Sequence, residues 1–222
     1  MRGLMAFVRR HLSPADRLAE TLCGLIMVLT FTLIAAPQVR ESRAGVHDLL
    51  LATIGCNLAW GVIDGALYVL TAMSERARRA GLGRAVRRAS SEAEALAVLK
   101  DALDDRLPAA AAGDDLEGFY RAMVPLARKT GEGPNRVTPD DLLGGTAILV
   151  VEVLCIIPAA IPFMVMSDRQ VSLRVSNALL LTLLFVVGHR WGREIDANRL
   201  ACGAAMLLLG ALLVGVAMLL GG

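Results

Sequence analysis

Three carboxylic acids lie inside the most apolar stretches of this 222-residue sequence: Glu20, Asp64 and Glu152. A charged side chain at membrane depth is costly, and it marks an ion or proton pathway by default. Asp64 belongs to the segment GCNLAWGVIDGALYVL at 55–70, which also contains Asn57. Residues seven apart return to one face of an α-helix, so Asn57 and Asp64 are predicted to share a face. The pattern predicts a polar site within membrane-spanning helices.

Sulfur-bearing side chains accompany two of these acids. In the first apolar stretch, Cys23 and Met27 follow Glu20 on the same predicted helical face. In the third stretch, Cys155 follows Glu152 at a spacing of three. Carboxylate oxygen combined with thiol or thioether sulfur is a ligand set for divalent transition metals. The predicted transport path consists of Glu20, Cys23, Met27, Asn57, Asp64 and Glu152.

Each of these residues also has a purely structural interpretation. Glu20 lies only a few residues inside its apolar stretch, where a carboxylate can reach the membrane interface. Met27 and the cysteines are ordinary packing residues in many apolar helices. Asn57 and Asp64 can hydrogen-bond between helices and hold a bundle together. The sequence leaves the structural and the functional interpretation open.

The elements that carry these residues are five apolar runs. Apolar residues make up 55% of the chain, and its mean hydropathy is +0.57. About 20 predominantly apolar residues cross a bilayer as a helix, and 222 residues are too few to bury five such helices in a soluble core. Strand signals are weak, so we predict an all-α polytopic membrane protein in contact with the lipid bilayer. Its five transmembrane helices are expected at about 18–36, 48–73, 142–166, 173–189 and 200–220.

Lys and Arg are distributed unequally around these runs. With five spans, nineteen of them fall on the side of the N-terminus and four on the other side. Because positive residues concentrate on the cytoplasmic side, we expect a cytoplasmic N-terminus and an external C-terminus. The compact size suggests a bacterial inner membrane. The basic residues are interpreted as topology signals and headgroup contacts, with no nucleic-acid partner.

A polar segment separates the second run from the third. Its part SSEAEALAVLKDALDDRL predicts a helix with an apolar stripe at Leu96, Leu99 and Leu103. Glu92 and Glu94 lie close together at the start of this helix, where they either collect a metal ion or form a solvated face. The predicted division is 1–73 with an amphipathic N-terminal segment and two spans, a cytoplasmic helical insert at 74–141, and 142–222 with three spans.

The order and size of these elements resemble the vacuolar iron transporter family, which includes the plant VIT and yeast CCC proteins. That family has five spans and a helical cytoplasmic insert after the second. Its third span ends in a proline-rich stretch similar to CIIPAAIPFMVM, and its second span continues into a polar helix much like MSERARR. The resemblance implies proton-coupled export of Fe²⁺ or Mn²⁺ from the cytosol by a homodimer. The metal-ligand candidates are then Glu20, Met27 and Asp64, with Glu92 and Glu94 in the insert.

Two functions are therefore expected from the sequence. The first is a transporter that exports divalent transition metals, coupled to protons. The alternative is a membrane scaffold or regulatory protein on the same fold, without transport, whose insert binds a partner. The sequence has no hydrolase elbow, phosphate loop or zinc-protease helix. We therefore expect no enzymatic activity and no permanently bound cofactor, the transported ion being the substrate.

Overall fold

The computed structural model describes residues 2–34, 43–103, 114–129 and 135–219, and every regular element in these ranges is an α-helix. This result confirms the predicted all-α class. In chain order, the helices of the described residues are α1 (Arg2–His11), α2 (Pro14–Ile34), α3 (Arg43–Arg88), α4 (Glu92–Leu103), α5 (Asp114–Lys129), α6 (Pro139–Leu154), α7 (Ile156–Val165), α8 (Arg169–Glu194) and α9 (Arg199–Leu219).

Five helical segments are long and apolar enough to cross a membrane: α2, α3, α6 joined to α7, α8 and α9. They coincide with the five predicted runs, so the protein is a polytopic membrane protein. Large apolar side chains on their outer faces are exposed, as Val62 and Leu212 show with exposed fractions of 57% and 62%. In a membrane protein such faces contact the hydrocarbon of the bilayer, where exposed apolar groups carry no cost.

The third span contains a kink that the sequence prediction did not include. The helix is interrupted at Cys155, whose backbone N–H donates to the carbonyls of both Val151 and Glu152, at 3.1 and 3.2 Å. Pro158 follows three residues later. A proline ring clashes with the carbonyl four residues before it and has no N–H to offer that carbonyl. The clash falls on Leu154, which explains why α6 ends there and α7 begins one residue beyond Cys155.

The described chain forms two compact units, Met1–Tyr68 with Pro139–Gly222, and Val69–Thr138. The core of the first unit lies between α1, α2, α6, α7 and α8, and includes Val28, Leu29, Ala147, Ile148, Leu180 and Leu184. Polar contacts also join its helices. Thr32 donates to the Oδ1 of Asn177 at 2.7 Å, and Ser176 donates to the carbonyl of Ala159 at 3.0 Å. Such bonds between spanning helices satisfy polar groups that lipid cannot hydrate.

The second unit has a small core of its own, built by the last part of α3 with α4 and α5. Its buried residues are Val86, Ala95, Leu99, Tyr120, Val124 and Ala127. The predicted stripe of α4 is present, because Leu96 and Leu103 pack beside the buried Leu99. Ser91 caps α4 by accepting the N–H of Glu94 at 3.2 Å, and the carboxylate of Glu94 accepts the N–H of Ser90 at 2.6 Å.

Within the first unit, glycines allow α3 and α6 to touch backbone to backbone. A Cβ added to Gly65 would lie 2.8 Å from the carbonyl oxygen of Gly145, and a Cβ added to Gly145 would lie 2.8 Å from that of Gly65. One turn earlier, a Cβ added to Gly61 would lie 3.0 Å from the Cα of Leu149. Small residues four apart permit this close approach of spanning helices. The contact therefore fixes the register of α3 against α6.

We predict opposite effects for the same substitution at two glycines of α3. Gly65→Ala should lower the thermal unfolding midpoint in detergent, because the clash with the Gly145 carbonyl costs about 1–3 kcal/mol. Gly55→Ala should maintain or raise it, since no atom of the described residues would lie within 4 Å of the added Cβ and Ala is the better helix former by about 1 kcal/mol. Equal shifts in both variants would contradict the close contact of α3 with α6.

Candidate functional site

The structure brings three of the predicted residues together. Glu20 on α2, Asp64 on α3 and Glu152 on α6 each offer a carboxylate oxygen, and these oxygens lie within 4.8 Å of one another. In the described part of the chain, no other group of three or more His, Cys, Asp or Glu side chains could hold a metal ion. We call these three residues the carboxylate cluster. Carboxylate oxygens converging from several helices are a ligand set for divalent cations.

The glycines of α3 position Asp64 in this cluster. Gly61 and Gly65 lie three residues before and one residue after Asp64. A Cβ on Gly61 would lie 3.2 Å from the Cβ of Glu152, so the α3 backbone runs against the turn of α6 that carries Glu152. The carboxyl group of Asp64 reaches that of Glu152 because the two glycines let the α3 backbone lie close against α6.

A third glycine, Gly24 on α2, makes room for the side chain of Glu152. A Cβ at this position would lie 2.7 Å from Oε2 of Glu152 and 2.9 Å from Sγ of Cys155. The carboxylate and the sulfur therefore both lie against the α2 backbone, one turn beyond Glu20. This geometry places the Cys155 thiol beside the carboxylate cluster, where its Sγ also donates to the carbonyl of Thr21 at 3.7 Å.

Glu152 is fully buried, and its charge has no visible compensation. Its exposed fraction is 0%, and neither of its carboxylate oxygens has a hydrogen-bond partner among the described residues. Buried polar groups are almost always hydrogen-bonded, and buried charges are almost always paired. A carboxylate that is unpaired, buried and next to two others requires a positive partner. A bound cation or protons shared with Glu20 and Asp64 would supply it.

Asn57 makes a hydrogen bond between helices, as its structural interpretation predicted. Its side-chain Nδ2 donates to the backbone carbonyl of Glu152 at 3.0 Å, at the kink before Cys155. A kink in a spanning helix frees carbonyls that must be satisfied by neighbouring side chains. Asn57 therefore holds the turn that carries Glu152. Its Oδ1 is buried without a partner in the described structure and faces no solvent.

The remaining predicted residues lie outside the carboxylate cluster. Cys23 is exposed on α2. Met27 is half-buried and lies seven residues beyond Glu20 on α2, which is about 10 Å along the helix axis. Glu92 and Glu94 are exposed at the start of α4 in the other unit, where Glu94 caps the helix. The structure thus assigns Glu94 a local structural role.

Two residues of the site were not among the predicted path residues. Cys155 and Gly24 both contribute to the surroundings of Glu152, as described above. The spacing of three between Glu152 and Cys155 was the available signal for the thiol. Gly24 follows Glu20 by four residues, a spacing that places it on the same face of α2.

Comparisons with known proteins do not assign this chain to a family. The sequence matches no protein-family model, and a search of curated proteins finds no match. The function must therefore be argued from the carboxylate cluster and its helices.

We predict that Glu152→Gln stabilises the metal-free protein. The substitution keeps the shape of the side chain and removes one of three mutually repelling carboxylates, so the thermal unfolding midpoint should rise in chelator-treated buffer at pH 8, by about 1 kcal/mol or more in free energy. Glu194→Gln, at the exposed end of α8, should change stability by less than about 0.5 kcal/mol. A lower midpoint for Glu152→Gln would show that this carboxylate has a stabilising, structural role.

Proposed function

We propose that the protein transports divalent transition-metal cations, Fe²⁺ or Mn²⁺, through the carboxylate cluster. One observation carries this proposal: carboxyl groups from three spanning helices lie within 4.8 Å of one another. Spanning helices rarely hold uncompensated carboxylates, and those that do usually belong to ion or proton pathways. The carboxylate oxygens of the buried Glu152 have no hydrogen-bond partner among the described residues, and this supports a cation as the missing partner.

The surrounding sulfur supports a transition metal as the substrate. Three carboxylates alone would suit Mg²⁺, Ca²⁺ and Mn²⁺. The thiol of Cys155 lies beside the Glu152 carboxylate, and sulfur is a soft ligand that Mg²⁺ and Ca²⁺ do not use. An ion that accepts both oxygen and sulfur, such as Fe²⁺, fits the pair best.

Proton coupling follows from the same ligands. A carboxylate binds either a metal ion or a proton, so metal binding releases protons and acid weakens metal binding. In the proposed cycle, the carboxylate cluster binds the cation from the cytoplasm and releases it outside. Protons then occupy the carboxylates in the return state. The metal affinity is accordingly expected to fall as the pH falls.

The direction of transport rests on the distribution of positive residues. The excess of Lys and Arg on the side of the N-terminus supports a cytoplasmic N-terminus and an external C-terminus. The proposed setting is a bacterial inner membrane, from which the ion is exported. The resemblance to vacuolar iron transporters supports export, and it extends the proposal to a homodimer.

The alternative is a membrane scaffold or regulatory protein that transports nothing. Two observations favour it: Asn57 bonds to the carbonyl of Glu152, and glycines pack α3 directly on α6. Polar and small residues here thus also serve helix packing. In a scaffold, the carboxylates would share protons permanently, and loss of Asp64 would change assembly or stability without changing any flux.

The test is metal flux into proteoliposomes that contain the purified full-length protein. Fe²⁺, Mn²⁺, Co²⁺, Zn²⁺ and Mg²⁺ are compared under an imposed pH gradient. We expect pH-dependent Fe²⁺ or Mn²⁺ flux in the wild type and a loss of at least about tenfold in Asp64→Asn, because the neutral amide removes a charged ligand. Asp48→Asn is the matched control, since Asp48 lies on the same helix, is exposed and pairs only with His47 among the described residues.

Each outcome decides between the two functions. Flux that is lost in Asp64→Asn and retained in Asp48→Asn supports the transporter. Full coupled flux in Asp64→Asn refutes the role of this residue. No flux for any of the five ions, from protein that is folded and inserted, supports the scaffold.

A further inference from the structure

A second polar feature of the first unit is a groove of about 530 Å³. It lies between α1, α2, α8 and the kinked span formed by α6 and α7, and its lining includes none of the three cluster carboxylates. Pockets that bind small molecules and cofactors have volumes of about 300–1,000 Å³, so the groove is large enough for a ligand. We call it the arginine groove, after the residues at its mouth.

The mouth of the arginine groove carries four guanidinium groups and one carboxylate: Arg9, Arg17, Arg190, Arg193 and Glu194. Arg17 is oriented by a bond from its Nη1 to the carbonyl of Leu12, at 2.7 Å. Within the described ranges, none of the four arginines makes an ion pair with a carboxylate. The mouth therefore has an excess of positive charge, four guanidinium groups against the one carboxylate of Glu194.

The interior of the arginine groove is apolar and extends along two helices. On α8, lining residues change from Leu183 and Val187 to Arg190 and Arg193 over three turns. On α2, they run from Leu25 back to the positive end at Arg17 and Pro14. Each set covers eleven residue steps, about 16 Å of helix. The groove is thus charged at one end and apolar over most of its length, with Cys155 and Pro158 also in its lining.

We propose that the arginine groove binds one anionic phospholipid. The arginines would hold the phosphate, because guanidinium groups bind phosphate oxygens in pairs. An acyl chain would lie against Leu18, Leu25, Leu154, Leu183 and Val187. Basic pockets between spanning helices are known sites for anionic lipid headgroups. A free phosphate ion would contact only the arginines at the mouth, and the apolar part of the groove would stay empty.

A zwitterionic lipid fits this arrangement less well. Its headgroup carries an ammonium group, which would meet the four guanidinium groups at the mouth with like charge. The preference is therefore for net negative headgroups. This proposal is independent of metal transport, since the arginines are outside the carboxylate cluster. Lipid binding can therefore be measured whether or not any ion moves.

The test titrates the delipidated full-length protein in detergent with short-chain phosphatidylglycerol, phosphatidylcholine or inorganic phosphate. Native mass spectrometry then counts the bound lipids. We expect one phosphatidylglycerol to bind at least about tenfold more tightly than phosphatidylcholine. The R190Q/R193Q double variant should lose roughly twenty-five-fold of that affinity, at about a factor of five for each arginine. R174Q is the matched control, because Arg174 lies on the same helix outside the groove.

A second variant tests the apolar length of the arginine groove. Leu183→Trp fills the interior and leaves the arginines in place, so it should weaken phosphatidylglycerol binding without creating a preference for phosphate. If thermal unfolding shows that the double variant does not fold, Arg9→Gln replaces it, because Arg9 is an exposed residue of α1. Equal binding of both lipids, or unchanged binding in R190Q/R193Q, would refute the proposal. Competition by phosphate at the concentrations where phosphatidylglycerol binds would identify a free-anion site and overturn the lipid assignment.

Discussion

The backbone contact between α3 and α6 is the interaction on which the polar site depends. Gly65 and Gly145 approach so closely that neither position has room for a Cβ. This contact brings the Asp64 side chain to the turn that carries Glu152, and Gly24 then admits the Glu152 carboxylate against α2. Van der Waals packing and small residues drive helix association in lipid, where no hydrophobic effect operates between helices. The glycines therefore determine both the packing and the convergence of the carboxylates.

Lipid also explains why the kink needs a polar partner. A broken helix in hydrocarbon exposes carbonyls that no water can satisfy. Asn57 supplies a donor to the Glu152 carbonyl, and Cys155 shares its own N–H between two carbonyls. The kink at Cys155 lies three residues after Glu152, which contributes the buried carboxylate. Interrupted helices next to binding sites are a recurring arrangement in transporters, because the irregular backbone lines a cavity.

The carboxylate cluster and the arginine groove are opposite in charge and adjacent in the fold. Cys155 touches both, because its Sγ lies near the Glu152 carboxylate and the residue also lines the groove. A ligand in the groove would therefore contact the same turn of the third span that positions Glu152. The ligands proposed for the two features differ in charge, a cation at the carboxylates and an anion at the arginines. Their separation along α2, from Glu20 to Arg17, is less than one helical turn.

The sequence by itself determined the five spanning helices, because the length of an apolar run can be compared directly with the thickness of a bilayer. It also identified Glu20, Asp64 and Glu152, since a carboxylate inside such a run is anomalous. Only the tertiary structure decided that these three converge and that Asn57 donates to the carbonyl of Glu152. Helical periodicity specifies which residues share a face of one helix. It does not specify how far each helix is rotated against its neighbours, and this rotation decides which faces meet.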